Sequence, residues 1–271
     1  MKIEPLYLKK ADVINLQKRD LEIGRGNDGI VYKTGISNSD ELYKLYFRKS
    51  KIGSEPCYLE LVDEKDAVDN IYKAIDRQSY VKRTKLQKRP IYINNRFRGV
   101  VIHYYKKQIP IYFLKSCPLK IQIVVLKELL VSIEELLDNF IYPRDLALQP
   151  YTDYRTSNVL LSFSRKLTPN IIDIDGRSAI YTDDYNEDFY YTALNSYKNL
   201  VMQILFDIDI MKLNVIDLEY FSDLLNKKGI NSKYLEYMLS IERRTDIDEF
   251  DYFFEDISKL DIKAKKKKRN K

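Results

Sequence analysis

The chain has 271 residues, of which 45% are hydrophobic and 32% charged, with 8 glycines, 8 prolines and 23 tyrosines. This composition excludes disordered and collagen-like classes and supplies enough apolar material for one large domain or two lobes. The net charge of +6 is concentrated at the end, where KAKKKKRNK (263–271) holds seven basic residues and no acid. The remainder is close to neutral, so the overall charge is not a nucleic-acid signature.

Cys57 and Cys117 form neither a metal-type pair nor a disulfide framework, and they are expected as reduced, buried thiols of a cytosolic protein. The N-terminal MKIEPLYLKK lacks the apolar core of a signal peptide. The stretch IVVLKELLV is interrupted by charge and too short to span a bilayer, so a soluble cytoplasmic protein is expected. From Arg77 to Lys127 there is no acid, whereas 173–261 is rich in acids, which suggests two lobes with different surfaces. No internal repeat is evident.

In chain order, DLEIGRGNDGIVYK (20–33) places Gly24, Gly26 and Gly29 between strand-like flanks, with Val31 following. Glycines at that spacing let the backbone turn and approach a phosphate without a Cβ in the way. A dinucleotide-binding turn would open a helix after the third glycine, but IVYKTG reads as strand and turn, which favours a glycine-rich hairpin. ELYKLYF then centres Lys44 on an alternating run. An inward lysine must meet an anion, while an outward one would be an ordinary edge lysine. Residues 55–76 carry Leu61, Ala67, Val68, Ile71 and Ile75 at helical spacing, with Glu64 near the stripe and Glu60 and Asp63 as competitors for Lys44. SYVKRTKLQKRPIYI and RFRGVVIHYY predict strands around a turn at Asn94 and Asn95, with His103, the only histidine, ending the second.

LKIQIVVLKELLVSIEELLDNFI (119–141) predicts a long amphipathic helix. The following YPRDL is a decoy for a catalytic loop, since five residues after Asp145 stands Pro150, whereas five after Asp153 stands Asn158. A hairpin leads from VLL to NIIDID and Asp173. Residues 193–206 read as a buried helix, and further helices are expected at 215–226, 231–242 and 247–260. Tyr181, Thr182, Tyr185, Tyr190, Tyr191 and Thr192 are phosphate acceptors or packing groups, and tyrosines at this density are more often packing.

Taken together, the glycine-rich loop, strand lysine, helix glutamate, hinge after VVIHYY, long helix, DxRxxN loop and later aspartate resemble the protein kinase superfamily over about 160 residues. The resemblance implies an α+β, two-lobed protein kinase-like fold: a strand-rich N-lobe (1–105), a mainly helical C-lobe (106–262) and a basic tail (263–271). It implies ATP and Mg²⁺ as cofactors. Gly24, Gly26, Gly29 and Val31 would cover the nucleotide, Lys44 paired with Glu64 would hold its phosphates, and the backbone at His103 to Tyr105 would meet adenine. Asp153 would orient the acceptor hydroxyl, Arg155 would stand beside the transferred phosphate, and Asn158 with Asp173 would hold the metal.

The implied activity is phosphoryl transfer to a hydroxyl, with a protein Ser/Thr substrate as partner. A small-molecule kinase and a pseudokinase are the alternatives. Tyr151 and Thr152 replace the His-Arg that usually precedes the catalytic aspartate, which argues against activation by loop phosphorylation. Asp175 replaces the glycine of the DFG pattern, as a further metal ligand or a turn residue, and no APE motif follows. No membrane contact is expected, and nucleic acid is expected at most as a weak contact of the tail.

Overall fold

The computed structural model describes residues 4–18, 20–25, 29–46, 64–143, 146, 149–151, 154–156, 158–163, 166–172, 174, 179–213, 215–227, 229–230, 232–240 and 243–269. At 64, 66, 149–151, 154–156, 215–218 and 260–269 it describes the backbone alone. The chain divides into two compact units, Met1–Lys106 with Asp173–Tyr181, and Lys107–Ile172 with Thr182–Lys271. The sequence reading draws one boundary near residue 105; the chain returns to the first unit at 173–181.

The first unit is a six-stranded sheet with a helix on each face. Its strands are β1 (Leu6–Leu8), β2 (Glu22–Arg25), β3 (Gly29–Lys33), β4 (Glu41–Tyr46), β5 (Arg89–Ile93) and β6 (Arg96–His103), in the order β1-β5-β6-β4-β3-β2. β5 and β6 join through Asn94 and Asn95, both left-handed at φ 52° and 58°, the backbone that a two-residue hairpin turn demands and asparagine tolerates. Helix α1 (Lys10–Lys18) belongs to a core of Leu16, Tyr32, Tyr43, Leu45, Ile91 and Val101. Helix α2 (Glu64–Arg77) packs on the opposite face through Ala67 and Ile71 against Tyr46, Phe97 and Val100.

β1 and α1 are not predicted from the sequence. Both are short, and β1 is fixed by long-range contacts: parallel pairing with β5, Leu6 opposite Ile91, and packing of Leu6 and Leu8 on the α1 core. The helix expected at 55–76 is present from Glu64, and its first part lies outside the described residues. The run SYVKRTKLQKRPIYI is a strand only from Arg89; before it the chain is held by side chains, with Gln78 accepting from the Leu86 N–H at 2.6 Å.

The second unit is mainly helical. Helix α3 (Leu119–Leu137) starts after Pro118, and its Ile123, Leu126, Leu129, Leu130, Ile133, Leu136 and Leu137 are buried. It ends four residues earlier than expected, because Phe140 turns left-handed and Ile141–Pro143 becomes a short strand, β7. Helix α4 (Glu187–Phe206) is capped by Asn186, whose Oδ1 accepts from the Phe189 N–H at 3.0 Å, with Glu187 and Asp188 suited to the positive helix end. Tyr197 of α4 donates to Leu126 O at 2.7 Å and packs on Phe250, which ties α3, α4 and the last helix together.

Helices α5 (Val215–Lys227), α6 (Leu235–Leu239) and α7 (Ile247–Arg269) follow. α6 is shorter than the expected 231–242, and α7 continues through most of the basic tail instead of stopping at 260. Cys117 is free but half-buried, since it caps a 3₁₀ turn (Ile111–Ser116) at the surface; Cys57 lies outside the described residues. Among the described residues no helix is long and apolar enough to cross a membrane.

Candidate functional site

In the first unit the sheet register gathers three of the expected residues. Gly24 faces Val31, Val31 faces Lys44 and Lys44 faces Val100, so all lie on one cross-strand row. Directly opposed residues share a sheet face, and Val100 packs with α2, so the lysine points to the α2 side. Lys44 is 6% exposed, and its Nζ lies 5.5 Å from the Tyr46 ring centroid. The outward-facing alternative is thereby excluded. Glu64 opens α2 on the same side of the sheet; its side chain lies outside the description, as do Glu60 and Asp63.

The glycines have different reasons to be glycine. A Cβ on Gly29 would stand 2.3 Å from Leu45 O, so the approach of β3 to β4 alone requires it. Gly99, unremarked in the sequence, is constrained in the same way by Lys44 O at 2.0 Å. At Gly24 a Cβ would meet nothing within 4 Å, and a bulge at Ile23 sets it in register with Val31. Gly26 lies outside the described residues. Gly29→Ala is therefore expected to lower unfolding free energy by about 1–3 kcal/mol, and Gly24→Ala by less than about 0.5 kcal/mol, as read from urea midpoints.

At the far end of β6, His103 pairs with Glu41 across the sheet, and its Nδ1 is 3.9 Å from Asp40. Burial, aided by Lys88, pulls its pKa down to about 4, so the imidazole is neutral near pH 7. The next backbone N–H, of Tyr104, donates to Asp40 O at 2.7 Å. Tyr105 turns its hydroxyl toward the Lys85 N–H at 3.3 Å, and burial pushes its pKa up to about 12.

Residues 173–181 complete this unit. Ile174 is buried between Asp173 and Asp175, which themselves lie outside the described residues. Its carbonyl accepts from Gln87 Nε2 and from Tyr181 Oη, the latter at 2.7 Å. Tyr181 is thus a packing and hydrogen-bonding group, 6% exposed, whereas Tyr185 is 58% exposed.

In the second unit the expected loop, 153–158, includes the short strand β9 (Tyr154–Thr156), which pairs with β8 (Gln149–Tyr151), Tyr151 to Tyr154. Asp153 and the decoy Asp145 lie outside the described residues, and at Arg155 only the backbone is described, opposite Pro150. The hairpin β10 (Val159–Phe163) and β11 (Leu167–Ile171) follows as expected. Its open end is closed by the Ile172 N–H donating to Asn158 O at 2.8 Å, so Asn158 abuts the residue that precedes Asp173 in the chain.

No protein-family description and no curated protein matches the chain. Among solved structures, the apo form of the GRMZM2G135359 pseudokinase is similar over 95% of this chain and 96% of its own, with a TM-score of 0.55 and 10% sequence identity. The chain has a protein kinase-like fold. Its strand-rich sheet unit and its helical unit are the two parts expected of that fold, and at this identity the likeness concerns the backbone alone.

Proposed function

We propose that this kinase-like chain is an ATP- and Mg²⁺-dependent phosphotransferase acting on a hydroxyl, with a protein Ser/Thr as acceptor. The observation that carries the reading is the row Gly24–Val31–Lys44, which sets a nearly buried lysine two strands from an open glycine position, on the face of the sheet that packs against α2. An ammonium shielded from water is a strong charge-assisted donor to a phosphate, and a glycine with open space over its Cβ position admits a phosphate. Lys44, held by Glu64, would bind the phosphates. Asn158 and Asp173 would hold Mg²⁺, which supplies charge neutralisation at the transferring group. Asp153 would orient the acceptor hydroxyl and take its proton as the oxygen–phosphorus bond forms, with ADP leaving, and Arg155 would stand by the transferred phosphate.

The pseudokinase reading is favoured by the sequence at Tyr151, Thr152 and Asp175, and the similar solved chain is described as a pseudokinase. One experiment separates the two. Full-length protein with Mg²⁺ and ATP is expected to form ADP and label a serine or threonine, and Asp173→Ala to abolish this. Thermal stabilisation by nucleotide without any ADP establishes the pseudokinase instead. Neither response overturns nucleotide binding altogether.

A further inference from the structure

We propose that Tyr46 is a positioning residue for Lys44, its ring holding the ammonium in place to meet a phosphate, a role that rests on the phosphotransferase reading. The two residues stand two positions apart on β4 and so share a face of the sheet, the face that packs against α2. Lys44 Nζ is 5.5 Å from the Tyr46 ring centroid, and each residue is 6% exposed. An ammonium at that distance is attracted by the electron-rich face of the ring, and the attraction grows where water is excluded.

The sheet leaves room for this ring on one side and braces it on the other. On β3 the residue opposite Tyr46 is Gly29, so the strand that carries the glycine-rich hairpin contributes no side chain there. On the β6 side stands Phe97, with no exposed surface, its ring centroid 5.9 Å from that of Tyr46 and its plane tilted by 53°. Tyr92 meets Phe97 edge to face at 6.1 Å, and Tyr7 stacks on Tyr92 at 5.6 Å. One ring from each of β1, β5, β6 and β4, neighbours in that order, thus forms a row that ends at Lys44. Packing of this kind confines the tyrosine ring, and a confined ring gives the ammonium one place to rest. A lysine stem loses rotamer freedom when its ammonium is fixed by a ligand, so an ammonium already held in place binds more tightly.

The test uses the full chain with Tyr46→Phe, which keeps the ring, and Tyr46→Leu, which removes it. In ligand-free protein carrying isotope-labelled lysine, the Lys44 ε-methylene protons, assigned by comparison with Lys44→Met, are expected upfield of free lysine in wild type and in Tyr46→Phe. In Tyr46→Leu they are expected to return toward the free position. ATP affinity is expected to stay within about twofold in Tyr46→Phe and to fall about fivefold in Tyr46→Leu. In a Lys44→Met background, Tyr46→Leu is expected to cause no further loss. Should Tyr46→Leu lose its cooperative melt, Tyr46→Met fills more of the space without a ring and takes its place. A wild-type Lys44 signal at the free-lysine position overturns the contact without reference to any nucleotide. Undiminished affinity in Tyr46→Leu, or an equal loss in the Lys44→Met background, overturns the positioning role and leaves a packing residue. Equal losses in Tyr46→Phe and Tyr46→Leu overturn the role of the ring. Wild-type protein that binds no nucleotide overturns the phosphotransferase reading, and the lysine signal then decides the contact on its own.

Discussion

Replacing Lys44 with methionine is expected to weaken ATP binding by about 100-fold, near 3 kcal/mol, while the protein stays folded. The loss is large because the ammonium is 6% exposed, where a charge-assisted contact to phosphate is little screened by water. The fold survives because β4 is held on both sides, Lys44 being paired with Val31 and Val100, and because methionine keeps the unbranched stem beside Tyr46. The substitution removes the desolvation cost of the ammonium and also its proposed pairing with Glu64, so a lowered melting temperature with a cooperative melt is expected. Calorimetric titration with ATP and a thermal melt on the same sample give both numbers. Affinity within twofold of wild type would make Lys44 a sheet-packing residue and remove the main support for nucleotide binding.

Lys198→Met is expected to produce the largest stability loss in the second unit, about 2–4 kcal/mol from several stranded neutral acceptors. Lys198 lies in the middle of α4 with no exposed surface, and its Nζ reaches Tyr237 O at 3.2 Å, Ser240 O at 2.7 Å, Arg243 O at 3.0 Å and Thr245 Oγ1 at 2.9 Å. The carbonyls belong to the end of α6 and the turn after it, where backbone acceptors lack helical partners and the helix end is negative. One ammonium therefore serves the oxygens of Tyr237, Ser240, Arg243 and Thr245 together. Burial pulls the lysine down to about 8, which leaves the ammonium as the main form at pH 7. Methionine fills the space but strands the acceptors. A urea titration should show the loss; a change under about 1 kcal/mol would mean that the turn finds other donors.

Both lysines show where sequence reading stops. Lys44 is identified from alternation and from the order of its neighbours, but alternation is equally consistent with the wrong face; the register Val31–Lys44–Val100 decided it. Lys198 is merely part of a buried-looking helix in the sequence, since its acceptors lie 39 to 47 residues away. The hairpin at Asn94 and Asn95, the helix at 119–137 and the glycine-rich β2–β3 hairpin are all legible because each rests on local chemistry: turn residues that accept positive φ, a 3.6-residue apolar period, and strand-like flanks.

By itself the sequence determined the locally encoded elements, such as the hairpin at Asn94 and Asn95 and the helix from Leu119, because periodicity and turn chemistry act over a few residues. The tertiary structure alone decided that Gly29 is glycine on account of Leu45 O, that β1 closes the sheet edge on β5, and that 173–181 joins the first unit through a hydrogen bond between residues 87 positions apart. Each of these depends on a backbone atom or buried donor brought close by chain folding. Such contacts have no period and no local signature, since they are set by distance in space and by the need to satisfy polar groups away from water.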